Sequence, residues 1–331
     1  VTAQPTTLVL RALYLGDAIT GLPALRMLRA AQPDHRIVIA APESVGQLAL
    51  TAGVVDAVTP ALELAPLNNA PRGADVAVDL HGNGPASREL LAATGAYRVV
   101  SYAGGDARWR ADEHEVERWC RLVGEAFGVA PPWPALPGSL PIPQALDGLR
   151  GHALVHPGAK AAARRWPPDR FAEVVRTLRQ AGCRVVVTGG PGEERLARAV
   201  ADGAGEPLTG LSLPDLLACV AHARIVVCGD TGVAHVASVY GTPSVLLFGP
   251  TSPARWGPPA SPAHRVLWHG TEPDGDPHGR QPDPALLAIT VGEVLDAVGP
   301  VIRAVQPSVR RSSASPTTLV RRAADAPCVQ R

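Results

Sequence analysis

The chain has 331 residues, 46% apolar and 18% charged, with a net charge of +1 and only 4% aromatics. That length and composition suit two globular domains with sizeable cores. The near-neutral charge excludes a strong electrostatic claim on nucleic acid or an anionic membrane, and so few aromatics exclude a base-stacking surface.

Taken in chain order, continuous Val-rich runs predict strands at 7–11, 36–41, 75–80, 97–102, 152–157, 184–189, 224–229 and 244–249. Helix-length patterns fall between them at 18–31, 43–52, 111–128, 168–181, 192–203, 213–223 and 231–240. Strands apolar on both faces that alternate with helices mean parallel sheets joined by right-handed crossovers. The pattern breaks at Val129–Gly151, where Pro131, Pro132, Pro134, Pro137, Pro141 and Pro143 crowd together. Proline extends the chain and prevents continuous helix, so an interdomain linker is expected there. It divides the chain into a first domain over 1–145 and a second over 152–305, each a doubly wound sheet facing a central cleft. A last helix over 289–305, interrupted or ended near Pro300, precedes a tail, 306–331, expected to be flexible and made basic by Arg310, Arg311, Arg321 and Arg322.

No stretch reads as a signal peptide or as an apolar run able to span a bilayer, so a cytoplasmic protein is expected. Cys120, Cys183, Cys219, Cys228 and Cys328 are odd in number and form no CxxC pair. Four of them lie in predicted helices or strands and read as small buried hydrophobes; the set fits a reducing compartment and gives no zinc site.

The most informative stretch is VVCGDTGVAHVASVYGTPSVLLFGPTSPARWG, from Val226 to Gly257. A strand runs into Gly229; Asp230 and Thr231 then stand where a helix should begin. A helix N-terminus carries partial positive charge and free N–H donors, which suits a diphosphate as well as it suits an ordinary side-chain cap. At the first strand's end, LYLGDAITGLPAL places Gly16 and Asp17 in the turn to a helix. Asp17 reads either as a general base on an acceptor hydroxyl or as the cap of a helix starting at Ala18. HPGAKAAARRWPP opens the second domain, and its Lys160, Arg164 and Arg165 can neutralise a leaving diphosphate or simply be solvated. Glu193 and Glu194 in GPGEER could accept from ribose hydroxyls or serve the helix dipole. Asp79, His81 and Asn83 in DLHGN are expected at the cleft edge on the acceptor side. Asp274 and Asp276 imitate a DxD metal motif, but Asp-Gly there is ordinary turn chemistry and no metal is assigned.

Taken together, LRALYLGDAITGLPALRMLRAAQP, DLHGN, HPGAKAAARRWPPDRF, VTGGPGEE and GDTGVAHVASVYGTPSVLLFGPTSPARWGP resemble glycosyltransferase family 9, the ADP-heptose:lipopolysaccharide heptosyltransferases. The resemblance implies a GT-B fold of two Rossmann-like domains, with the acceptor on the first and a nucleotide-sugar donor on the second. It implies inversion at the anomeric carbon with no metal or other cofactor. Asp17 would be the base. Lys160, Arg164, Glu194, Asp230, Thr231, Gly232, Val233 and His235 would hold the donor, and Gly16, Asp79, His81 and Asn83 would stand on the acceptor side. The implied partners are a nucleoside-diphosphate sugar and a glycan, lipid-linked or small-molecule acceptor. Arg164 stands where many members carry Lys, and Gly84-Pro85-Ala86 departs from the family's Leu-Arg-Ser on the acceptor side. An epimerase or hydrolase on the same fold, or a non-catalytic sugar-nucleotide binder, is the alternative reading.

Overall fold

In a computed structural model, which describes residues 4–271 and 275–303, the chain builds two wholly parallel sheets. The first holds β1 (Thr6–Leu10), β2 (Arg36–Ala41), β3 (Ala57–Pro60), β4 (Val76–Asp79) and β5 (Arg98–Val100), in the order β3-β2-β1-β4-β5. Its helices are α1 (Leu15–Ala31), α2 (Glu43–Thr51), α3 (Pro85–Ala92) and α4 (Glu115–Phe127). The second holds β6 (Ala153–His156), β7 (Val185–Gly189), β8 (Glu206–Thr209), β9 (Ile225–Gly229), β10 (Ser244–Phe248) and β11 (His264–Trp268), in the order β11-β10-β9-β6-β7-β8. Its helices are α5 (Pro168–Gln180), α6 (Glu194–Ala201), α7 (Leu213–Ala221), α8 (Gly232–Tyr240), α9 (Pro253–Trp256), α10 (Pro284–Ala288) and α11 (Val291–Arg303). This is the GT-B arrangement of two Rossmann-like domains.

The central strands form because their residues can be apolar on both faces. In β1, Leu8, Val9 and Leu10 are fully buried, as are Val226, Val227 and Cys228 in β9. Three strands escape the periodicity argument: β3, β8 and β11. All are sheet edges. Sequences such as EPLT in β8, half open to water, carry polar and proline residues that a central strand excludes.

The proline-rich stretch is strapped down rather than free. Leu136 and Leu140 are buried, Gly138 N donates to Val239 O at 2.8 Å, and Arg26 donates to Ser139 O at 3.3 Å. It thus fastens to elements of both sheets. The last helix runs through Pro300 to Arg303 instead of stopping near it. The tail over 306–331 lies outside the described residues.

The two domains meet helix end to helix end. One apolar cluster includes Ile19, Leu22 and Leu25 of α1 together with Val233, Val236 and Val239 of α8. Glycines permit the approach. A Cβ on Gly16 would stand 2.9 Å from His235 Cδ2, and one on Gly232 would stand 3.0 Å from Leu15 Cβ. Each sheet changes winding direction at one point, between β1 and β4 in the first and between β6 and β9 in the second. Ligand crevices in such sheets form at those points, at the carboxyl ends of the strands.

Candidate active site

The loops that leave β1, β4, β6 and β9 carry most of the residues singled out from sequence. The β9–α8 turn is the anchor. Helix α8 begins at Gly232 with Thr231 as its N-cap residue, and no side chain caps it. The first N–H groups of the helix, at Gly232 and Val233, have no carbonyl one turn back. Thr231 Oγ1 is buried, with the Cys228 thiol as a close polar neighbour. The Val233 side chain is buried, so Val233 offers its backbone alone.

Asp230 is buried beside Arg164, whose Nη1 lies 3.8 Å from Oδ2 and donates to the Asp230 carbonyl at 3.4 Å. Burial pushes the Asp230 carboxyl up to about 6; Arg164 opposes the rise, and the Asp17 charge adds to it. Arg164 closes a short 3-10 turn, Ala162–Arg164. That turn is held by Ala163 N donating to Gly279 O and by Asp283 N donating to Ala163 O. Trp166 is buried, donates to Ile289 O at 3.1 Å and meets Phe171 edge-on. The Arg-Arg-Trp-Pro run is therefore an anchored loop, and the Arg164 Nε is buried with no partner.

Across the cleft, α1 begins at Leu15, three residues before the sequence pattern places it, with Tyr14 as N-cap residue. Asp17 lies in the first turn, half-buried, and does not cap the helix. Among the described residues no hydrogen bond reaches its carboxylate. Lys160 spans the mouth of the cleft, its ammonium 3.7 Å from the Tyr14 ring centroid.

Sequence reasoning missed the group that fixes Asp17. Arg11 is buried at the end of β1; Nε donates to the Asp17 carbonyl, Nη1 to the Leu80 carbonyl and Nη2 to Thr20 Oγ1 at 3.0 Å. It also pairs with Glu115 at 3.5 Å and lies over the Trp119 ring. Gly21 leaves room for it: a Cβ there would stand 2.6 Å from Arg11 Nε. A charged residue directly after a buried strand was the available signal.

Two expected contacts need correction. Asp79 does not face the cleft. It is fully buried, accepting from Ser87 Oγ at 2.6 Å and from His81 N at 3.0 Å, and burial pushes its carboxyl up. It fastens the loop that presents His81 and Asn83, of which His81 is half-buried and Asn83 exposed. Burial and the Arg11 charge lower the His81 imidazole, while Asp17 and Glu63 oppose them. Glu194 is exposed and accepts only from Gly192 N at 3.3 Å. Its neighbour Glu193 turns inward, accepting from Gly190 N at 2.9 Å, with its carboxylate 1.9 Å from where a Gly158 Cβ would stand. Glycine at 158 admits that carboxylate to the loop after β6. His235 is buried; burial and neighbouring positive groups lower its imidazole to about 4, and its ring is pressed between Gly16 and Trp256.

Asp276 is an exposed turn residue accepting from His278 N at 2.8 Å, and Asp274 lies outside the described residues. Cys120, Cys183, Cys219 and Cys228 are buried free thiols, while Cys328 lies outside the described residues. No helix among the described residues is long and apolar enough to cross a membrane.

Two Rossmann-like sheets meeting across opposed helix N-termini, one with an acid and one with free amides and an arginine, define a GT-B scaffold. The sequence profile of glycosyltransferase family 9 (heptosyltransferase) matches residues 101–281, more than half the chain, and the chain belongs to that family. Lipopolysaccharide heptosyltransferase 3 of Escherichia coli K12 is 34% identical over 119 residues, which span 34% of this chain and 35% of that protein. The match thus spans about a third of that relative's length. Among solved structures, a family 9 glycosyltransferase of Veillonella parvula superposes with a TM-score of 0.74 at 19% identity, covering 91% of this chain and 98% of the other. The ADP-heptose lipopolysaccharide heptosyltransferase II of E. coli gives 0.73 at 23% identity, covering 90% and 99%.

Proposed function

We propose that this protein is an inverting, metal-independent glycosyltransferase that moves a heptose from ADP-heptose to a hydroxyl of a glycan or metabolite. One observation carries the reading: the uncapped α8 N-terminus, flanked by Arg164 and the buried Thr231 hydroxyl, lies across the cleft from the unencumbered Asp17 carboxylate. Family membership and the named activity of the matched relatives supply the class of donor.

In this mechanism the donor diphosphate sits on the Gly232 and Val233 N–H groups, with Arg164 alongside and Glu193 placed for the nucleoside's hydroxyls. The acceptor hydroxyl lies against Asp17. Its oxygen attacks the anomeric carbon from the face opposite the diphosphate, and its proton passes to the Asp17 carboxylate. The anomeric carbon–oxygen bond breaks, and ADP leaves with the electron pair. Preorganised donors lower the cost of that developing charge by about 3–4 kcal/mol each. Closure of the domains keeps water from the donor.

The test is turnover of ADP-heptose with and without a panel of acceptors, followed as ADP release. Transfer requires an acceptor and is unchanged by a chelator. Brisk donor consumption without acceptor would instead indicate an epimerase or hydrolase, and strict dependence on a divalent ion would remove the metal-free mechanism.

A further inference from the structure

A second feature of the domain seam lies beside the cleft already described. A cavity of about 580 Å³ lies between the loop entering α4, the chain that follows that helix, and the loop after β10. It reaches Thr20, one turn beyond Asp17 on α1, and His235, which touches Gly16. Both domains build its walls. They are joined there by His114, whose Nδ1 accepts from Val116 N at 3.2 Å, so that Nε2–H donates to Gly257 O at 3.1 Å.

The lining chemistry is one-sided. Asp112, Glu113 and Glu117 line the cavity, and no lysine or arginine does. Arg121 neutralises Glu113 at 2.7 Å, whereas Asp112 and Glu117 form no ion pair among the described residues. Two solvent-exposed carboxylates remain without a protein cation. Beside them Trp133 contributes a flat apolar surface, its ring packed over Gly124 of α4. The second sign of a ligand is His235. It is 5% exposed, its ring reaches the cavity, and it makes no hydrogen bond among the described residues. Its ring nitrogens are not sealed from solvent, so a ligand in the cavity can reach them.

An aromatic face, a neutral imidazole and two acids without a cation match a ring bearing hydroxyls and a positive charge. They repel a phosphate or carboxylate. We infer that this cavity is a binding site for an amine-bearing sugar or cyclitol, whose ammonium lies between Asp112 and Glu117, whose ring lies on Trp133 and whose hydroxyl reaches His235. Its role as the acceptor subsite rests on the transferase reading above; its binding chemistry does not.

The experiment is ligand-observed NMR on the full chain with 2-deoxystreptamine and glucosamine, against glucose and glucose 6-phosphate as uncharged and anionic controls. The amines bind, glucose binds more weakly and glucose 6-phosphate does not bind. The double variant Asp112→Asn, Glu117→Gln weakens amine binding about tenfold or more, the loss expected when a charge-assisted hydrogen bond is removed. Its affinity for ADP stays at the wild-type value, which shows an intact fold and a separate donor site. Equal binding of glucose 6-phosphate, or amine binding indifferent to the double variant, would overturn the inference. Amine binding with no transfer from ADP-heptose would leave the subsite standing and count against the transferase reading.

Discussion

Asp17 and Asp230 occupy matching places in the two domains, each where a central strand hands over to a helix, yet the molecule treats them oppositely. Asp17 is half-buried in the first turn of α1 and free of hydrogen bonds among the described residues. Asp230 is sealed beneath the start of α8 with Arg164 at 3.8 Å, and burial pushes its carboxyl up to about 6. In the proposed reaction, the acid that takes a proton from an incoming hydroxyl needs access and position. An acid that must hold an arginine in place needs neither. The shared motif shape, Gly-Asp before a helix, therefore does not fix the role; the surrounding packing does.

The contrast can be broken at several points. Asp17→Asn keeps the shape of the turn and removes the proton acceptor. Transfer should fall by about 10²–10⁴-fold, the usual worth of a positioned base, with ADP affinity retained in calorimetry. If that variant turns over normally, the distinction between the two acids is lost.

Asp230→Asn should act first on stability. Between pH 3.8 and about 6 the folded state keeps a proton on Asp230 that the unfolded chain has released, so this group's contribution to stability falls as pH rises through that window and stays low above it. The variant should therefore be more stable than the parent at pH 8, by up to about 3 kcal/mol at 1.36 kcal/mol per unit, and equal to it near pH 4. Thermal melts at both pH values read this directly, and a pH-independent difference would contradict the assignment.

Arg164→Ala should cost on the order of 100-fold in kcat, as loss of one preorganised donor does, while Arg164→Lys restores part of it. Gly16→Ala probes the seam itself. Its methyl would stand 2.9 Å from the buried His235 ring, so a loss of about 1–3 kcal/mol is expected from overpacking, seen as a lower denaturant midpoint. The seam also carries an acid-sensitive group. Because the His235 imidazole is lowered to about 4, the unfolded chain binds a proton there before the folded one does. Stability from that burial is complete above pH 6.5 and is lost as pH falls toward 4.

Much of this was legible in the chain. Strands such as RIVIAA and SVLLF declare themselves because burial on both sheet faces demands unbroken apolar runs, and β2 occupies 36–41 as the pattern places it. Edge strands did not declare themselves, since EPLT at β8 meets water and carries no such demand. The same logic divides the site. That Asp17, Arg164, Thr231 and Gly232 belong to strand–helix turns follows from local spacing. That Asp79 turns inward to Ser87, that Glu193 and not Glu194 reaches Gly158, and that Arg11 grips the Asp17 carbonyl depend on how each loop folds back and on which way a helix start rotates its side chains.

The sequence by itself determined the alternation of strands and helices, the two-sheet plan and the family motifs, because each rests on hydrophobic period and turn chemistry within a few residues. Only the tertiary structure decided which acid lies open, which is sealed, and how closely α1 meets α8. Those outcomes depend on burial and close contact between segments more than 200 positions apart, such as Gly16 and His235, and no local pattern encodes them.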